Sequence, residues 1–330
     1  MVCGTLLASC ALVGAPERLV ADDFFNGKTV RLVVGMPPGG GVDAYARLLQ
    51  RHIVRHLPGS PSIVAQNMPG AGSLRSVQSL ATVPDDATTI VTFTSTLLTD
   101  SVLNPEKIKV DFRDFRFIGN VSEDTRVCYV RSGFGASTLA EMTRDKVVIF
   151  GATTASQPEA SMIKNLLGMN MNIVMGYAGS ADKRLALEKG EVDGDCGGWT
   201  SLPPSWLAPG GPVKVFVRVS PMLLPGMDSA IPFAGDVIKD PDLRRIFDFL
   251  TAPTRLGRPF MVKGKVPADQ LALLRAAFDK TMVDSGFLAE AKKMGLTVAP
   301  VSGAAVDRQI AEMYATPPAL IARARKLTAK

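Results

Sequence analysis

Apolar residues along this chain fall into short continuous runs separated by helical rhythms. Thr29–Gly35 (TVRLVVG) is mostly β-branched and apolar, the pattern of a strand covered on both faces. Pro37-Pro38-Gly39-Gly40-Gly41 then breaks regular structure. Val42, Ala46, Leu49, Ile53 and Leu57 follow at spacings of four, three, four and four, which predicts a helix with one apolar face. Pro58-Gly59 stops it. Ser62–Gln66 reads as a second strand. Asn67–Gly72 is a second glycine turn, with Ser73 placed to cap the next helix. Thr89–Phe93 reads as a third strand. A strand, glycine turn and helix in repetition predict a parallel α/β layout.

The middle of the chain repeats this theme. Lys146–Phe150, Asn172–Gly176, Val192–Cys196 and Val213–Val219 read as strands, and Pro158–Leu167 and Ala181–Lys189 as helices. Ala178-Gly179-Ser180 turns into the second of those helices, as Gly39–Asp43 turns into the first. Arg258–Val262 reads as a strand returning toward the first domain. From Pro267 the pattern is helical, with Leu271, Leu274, Phe278 and Met282 on one face. We therefore expect two α/β domains: 22–125 with 253–330, and 126–252.

Composition agrees with a folded globular chain. Of 330 residues, 46% are hydrophobic and 21% charged. The net charge of +6 favours an anionic partner without naming one. Aromatics make up only 6% and no basic run is interleaved with them, so nucleic acid is not expected as a partner. Residues 2–15 are apolar but too short to span a bilayer, and resemble the core of a secretory signal. Leu19-Val20-Ala21 offers a cleavage site, making 1–21 a signal peptide. Leu7-Ala8-Ser9-Cys10 also fits a lipobox, with lipoprotein anchoring at Cys10 as the alternative. Cys128 and Cys196 are expected as two buried free thiols, although an exported protein could pair them.

Catalytic patterns are thin. Gly39–Ala44 formally matches a dinucleotide fingerprint, but Pro37-Pro38 interrupts the strand-to-turn junction and Ser62–Gln66 ends without a ribose-binding acid. No Lys-Ser or Lys-Thr follows the glycines, so the phosphate loop of nucleotide hydrolases is absent. His52 and His56 have no third metal ligand nearby and are expected on a solvated helix flank. Asp193 and Asp195 lack a partner base and read as structural or cleft-lining. No GxSxG elbow surrounds Thr94-Ser95-Thr96 or Thr153-Thr154. The glycine turns have another use. A glycine turn into a helix exposes unpaired backbone N–H groups at the positive helix end, a geometry suited to carboxylates and phosphates. Two such loops facing across a cleft would clamp an anion.

Arg31–Asp43 (RLVVGMPPGGGVD), Val64–Ser73 (VAQNMPGAGS) and Gly176–Trp199 (GYAGSADKRLALEKGEVDGDCGGW), in this order behind a signal-like start, resemble the tripartite tricarboxylate transporter receptors, the Bug or TctC-like periplasmic solute-binding proteins. The resemblance implies a periplasmic binding protein type II-like Venus flytrap of two α/β domains joined by crossover strands. It implies a monomeric receptor in the periplasm, without cofactor, metal or catalytic activity. Its ligand would be a small mono-, di- or tricarboxylate, and its partners the membrane permease subunits. Carried onto this chain, the ligand loops are Pro38, Gly39, Gly40, Gly41 and Asp43 in the first domain, and Tyr177, Ala178, Gly179, Ser180 and Ala181 in the second. Thr94, Ser95 and Thr96 line the cleft from one side, Thr153 and Thr154 from the other, and Asp195 and Trp199 approach the ligand. Asp43 shapes its loop, since a carboxylate would repel an acidic ligand. The chain departs from the family at Asp85-Asp86-Ala87, Met68 and Ser180-Ala181-Asp182. The competing readings are a cytoplasmic α/β enzyme holding a nucleotide at Gly39–Gly41, and a ligand-presenting sensor partner.

Overall fold

The computed structural model describes residues 24–123, 125–142, 147–153, 156–224 and 226–329. The signal-like segment 1–21 with Cys10 and the Ala21 cleavage site, and Thr154, lie outside the described residues.

Two sheets organise the chain. The first contains β1 (Thr29–Val34), β2 (Ser62–Asn67), β3 (Thr89–Thr92), β4 (Phe115–Asn120), β10 (Pro259–Lys263) and β11 (Val301–Ser302), in the order β11-β4-β10-β3-β1-β2. The second contains β5 (Arg126–Arg131), β6 (Val148–Ala152), β7 (Met171–Met175), β8 (Gly194–Gly198) and β9 (Val213–Arg218), in the order β7-β6-β8-β5-β9. In the first, β1 pairs parallel with β2 and β3, while β10 lies antiparallel between β3 and β4. In the second, β6 pairs parallel with β7 and β8, and β5 runs antiparallel between β8 and β9. The chain thus crosses between sheets twice: from β4 into β5, and back through residues 252–258 into β10.

Helices of eight residues or more are α1 (Gly41–Ile53), α2 (Thr96–Leu103), α3 (Gln157–Leu167), α4 (Ser180–Glu188), α5 (Pro241–Thr251), α6 (Ala268–Met282), α7 (Ser285–Lys293), α8 (Gly303–Tyr314) and α9 (Pro318–Thr328). The apolar stripe of α1 buries Ala46, Leu49 and Ile53 in a core shared with Val30 and Leu32 of β1 and Phe260 of β10. Leu274, Phe278 and Met282 of α6 close the same core. β1 is buried at every position except Thr29 and Arg31.

Several sequence expectations are corrected. Leu320, Ile321 and Ala324 of α9 pack in the core of the second sheet, beside Phe247 of α5 and Ile163 of α3, although the sequence grouped this segment with the first domain. The apolar stripe of α9 finds its complement there, and Arg325 Nε donates to the Leu103 carbonyl at 2.6 Å. Ser73 takes a left-handed conformation and does not cap its helix. Its hydroxyl instead donates to Gly35 O and accepts from Thr94 N–H, tying together the ends of β1 and β3. His52 is buried and bonds Glu290 at 2.6 Å, and His56 bonds Asp284 at 3.1 Å. The pair therefore docks α7 and its N-cap onto α1 and the turn 54–56 that follows it, rather than facing water. β4 and β5, which carry the first crossing, have no clear signature in the apolar pattern.

Cys128 and Cys196 are joined as a disulfide and are not free thiols. The antiparallel register of β5 and β8 places the two residues directly opposite, with Cα atoms 4.1 Å apart. The bridge closes a sequence separation of 68 residues, so it restricts the unfolded chain. Replacing both cysteines with Ala should cost about 2–4 kcal/mol of stability, read as a lower urea midpoint with a steeper slope, because the released unfolded chain exposes more surface.

Candidate functional site

The first glycine loop turns at Gly39, whose φ of +81° lies in the left-handed region that favours glycine. Gly40 is the N-cap of α1, and no side chain caps the helix. Its first-turn amides therefore point outward without the usual hydroxyl or carboxylate partner. A Cβ on Gly41 would lie 2.8 Å from both Arg258 Nη2 and Ser201 Oγ, so only glycine permits that approach. Asp43 is buried behind the loop. It accepts from Gly39 N–H at 3.1 Å, Arg47 Nε at 3.0 Å and Asn67 Nδ2 at 2.8 Å. Burial alone would raise the Asp43 carboxyl, but these donors outweigh it and hold it below the ordinary carboxylate range.

The second loop leaves β7 through Gly176, at φ +117°, and enters α4 through Gly179. No side chain caps this helix either. A Cβ on Gly179 would stand 3.2 Å from Pro37 Cγ, so the two loops approach each other across the lobes.

Between them lies a cavity of about 160 Å3. Of the residues expected at the site, Pro38, Gly40, Gly41 and Thr94 line it from the first lobe, and Thr153, Gly179, Ser180 and Ala181 from the second. Tyr177 and Ala178 line a neighbouring cavity with Met36, Pro37 and Ser73. Thr96 faces a smaller one beside Arg126 and Glu159. Gly39 and Asp43 hold the first loop together and Ser95 is buried at the start of α2, and none of the three lines the cavity. Two side chains expected to approach the ligand do not line the cavity. Asp195 is buried in an ion pair, and Trp199 packs with Val127, Leu202 and Trp206.

Sequence reasoning missed Arg126, Ser156, Lys183, Ser201 and Arg258, all of which line the cavity. Lys183 was the most accessible of these, because it lies in the first turn of a helix already assigned to the site. Arg126 and Arg258 reach the cavity because each sits where a crossing segment meets a sheet, and no local pattern marks that position.

Two acids of the second lobe, Asp195 and Glu159, are held behind the wall. Lys183 Nζ lies 2.5 Å from Asp195 Oδ1, and both side chains are nearly inaccessible. Tyr129 donates to Asp195 Oδ2 at 2.9 Å. Burial, reinforced by the Asp195 charge, pushes the Tyr129 phenol well above its ordinary value. Arg126 pairs with Glu159 through Nε at 2.7 Å and through Nη2. Both acids are thus compensated, and the cavity is walled by the cations Arg126, Lys183 and Arg258, by hydroxyls and by the glycine-loop backbone, with one carboxylate, Asp182, on the α4 side. Among the described residues no group of three or more His, Cys, Asp or Glu could hold a metal ion.

Two α/β lobes, two crossing segments and a cavity between helix N-termini define the class: a two-lobe periplasmic-binding-protein fold. Solved structures agree. The periplasmic binding protein BugD matches with a TM-score of 0.73 at 19% identity, covering 91% of this chain and 97% of that one. MatC from Rhodopseudomonas palustris with bound malate matches at 0.70 and 18% identity, covering 92% and 99%. Rpa4515 of R. palustris with adipate matches at 0.70 and 17%, covering 91% and 97%. At these identities the likeness speaks for the fold. No family model matches the chain. In sequence, the chain is 28% identical over 195 residues to a UPF0065 protein of Bordetella pertussis, covering 57% of this chain and 59% of that protein. It is 30% identical over 105 residues to a UPF0065 protein from the tcbD-tcbE intergenic region of a Pseudomonas species, covering 32% and 31%. The matches thus span about three fifths and one third of those relatives' lengths. Sequence and fold together bear out the resemblance to the Bug and TctC-like receptors.

Two predictions follow from the buried charges. Lys183→Met leaves Asp195 buried without its cation and should cost about 3–5 kcal/mol, measured by urea denaturation. Asp43 has a folded-state pKa below its unfolded one. Its ionised form therefore stabilises the fold above about pH 4, and this contribution fades as pH falls through the lower folded value. Asp43→Asn should cost about 1–2 kcal/mol near neutrality, with the difference from wild type shrinking in acid.

Proposed function

We propose that this chain is an extracytoplasmic solute-binding receptor of the tripartite tricarboxylate transporter type, not an enzyme. It captures a small mono-, di- or tricarboxylate between lobes divided near residues 125/126 and 252/253, and presents it to membrane permease subunits. The observation that carries this reading is the pair of uncapped helix N-termini, at Gly40–Gly41 and Gly179–Ser180, lining one small cavity from opposite lobes. Preorganised amides and helix dipoles replace the hydration of a carboxylate there without a costly rearrangement. The cavity size favours a compact acid over a drug-sized ligand. The malate and adipate held by MatC and Rpa4515 are the chemistry this geometry suits. A periplasmic location fits the signal-like segment, we expect the receptor to act as a monomer, and closure would follow from tighter binding in the closed state.

Ligand-free protein should gain melting temperature with at least one of malate, adipate, succinate or citrate. No gain with any of them would sink the reading. Gly40 and Gly179 have φ values open to any residue, at −93° and −162°. Gly40→Val should retain the fold while filling the cavity mouth, and Gly179→Val should press on Pro37 and hold the lobes apart. Each should weaken carboxylate binding tenfold or more by calorimetry, and unchanged affinity would remove that loop from the site.

A further inference from the structure

The two glycine loops carry an acid at the same place. Asp43 lies three residues past Gly40, the N-cap of α1, and Asp182 lies three residues past Gly179, the N-cap of α4. Their surroundings differ. Asp43 is buried, held by Gly39, Arg47 and Asn67, and does not line the cavity. Asp182 is exposed and, among the described residues, is the one acid that lines it. Its carboxylate has no hydrogen-bond or ion-pair partner among the described residues. Arg47 stands one helical turn beyond Asp43, whereas Ala186 occupies the matching place after Asp182. The cations that follow Asp182 in the chain are committed elsewhere. Lys183 turns inward onto Asp195, and Arg184 Nη1 donates to Ser201 O at 2.7 Å.

The two ends of the cavity therefore differ in charge. At α1 the acid of the first turn is answered by Arg47 and kept behind the loop, so the open amides face the cavity alone. At α4 the acid of the first turn stands on the cavity wall and offsets the positive helix end. A ligand carboxylate is favoured at the first end and opposed at the second. We infer that Asp182 is a specificity-determining residue that limits the charge of the ligand: the cleft takes an acid whose far end is a hydrogen-bond donor, an ammonium group above all, in preference to a second carboxylate. This rests on the carboxylate-receptor reading and narrows it. Asp182 also belongs to the Ser180-Ala181-Asp182 segment in which the chain departs from the receptors it resembles. Because the carboxylate is exposed, its effect is that of a screened charge, and it weakens as salt rises.

The test uses 3-aminopropanoate, succinamate and succinate, which share a short carboxylate frame and carry an ammonium, a carboxamide or a second carboxylate at the far end. Their affinities are measured by calorimetry on the full chain at low and high salt. Wild type should bind them in that order, with steps of about threefold at low salt that shrink at high salt. Asp182→Asn should strengthen succinate and weaken 3-aminopropanoate, each by about threefold, and change succinamate least. Asp182→Glu keeps the charge and should keep the order, which separates charge from damage to the loop. If Asp182→Asn shifts all three by one factor or not at all, or if Asp182→Glu loses the order, the inference is overturned. If wild type prefers succinate, or binds malate, adipate or citrate but neither 3-aminopropanoate nor succinamate, the inference falls while the receptor reading stands. If wild type binds none of these acids, the receptor reading falls and takes the inference with it.

Discussion

Backbone N–H groups at a helix start must find acceptors, and this structure leaves two sets of them without side-chain caps on facing walls. Almost everything around the cleft serves to keep those groups aimed and uncovered. Gly39 and Gly176 supply the conformations that reverse the chain after β1 and β7. Asp43 accepts from Gly39, Arg47 and Asn67 and so fixes the first loop from behind. Its charge stays inside the wall, where it stiffens the loop without lining the cavity.

The same economy governs Asp195 and Glu159, whereas Asp182 at the start of α4 lines the cavity. Asp195 would oppose an anion if it faced the cavity, but Lys183 and Tyr129 enclose it. Glu159 is likewise covered by Arg126. A buried pair of this kind contributes little net stability, since desolvation offsets most of the attraction. Its value lies in position: it sets the Arg126 and Lys183 side chains at the cavity wall. The disulfide between β5 and β8 holds together the two strands that carry Arg126 and Asp195.

The crossing segments explain how separate lobes share one floor. Asn120 at the end of β4 receives the Arg258 amide, while Val121 donates to the Arg258 carbonyl. The two passages between sheets therefore run side by side. Arg126 stands just beyond one and Arg258 within the other. The C-terminal α9 packs behind this region, joining Leu103 of α2 to the core of the second sheet. Motion of the lobes must be accommodated by these few contacts.

Local pattern alone determined the α/β class, the strand–glycine–helix repeats and the two loops, because apolar runs, glycines and helical spacing are short-range signals. It placed Gly40, Gly41, Gly179 and Ser180 correctly at the helix starts, since a helix needs only its neighbours to begin. Tertiary structure decided what those signals could not encode. Whether Asp195 faces ligand or lysine depends on how α4 packs on β8. Whether Cys128 meets Cys196 depends on the register of β5 against β8. Arg126 and Arg258 are 132 residues apart in the chain, and only the paired crossings bring both to one cavity. The sequence could specify which backbone amides were left open; the chain's return path selected the charges beside them.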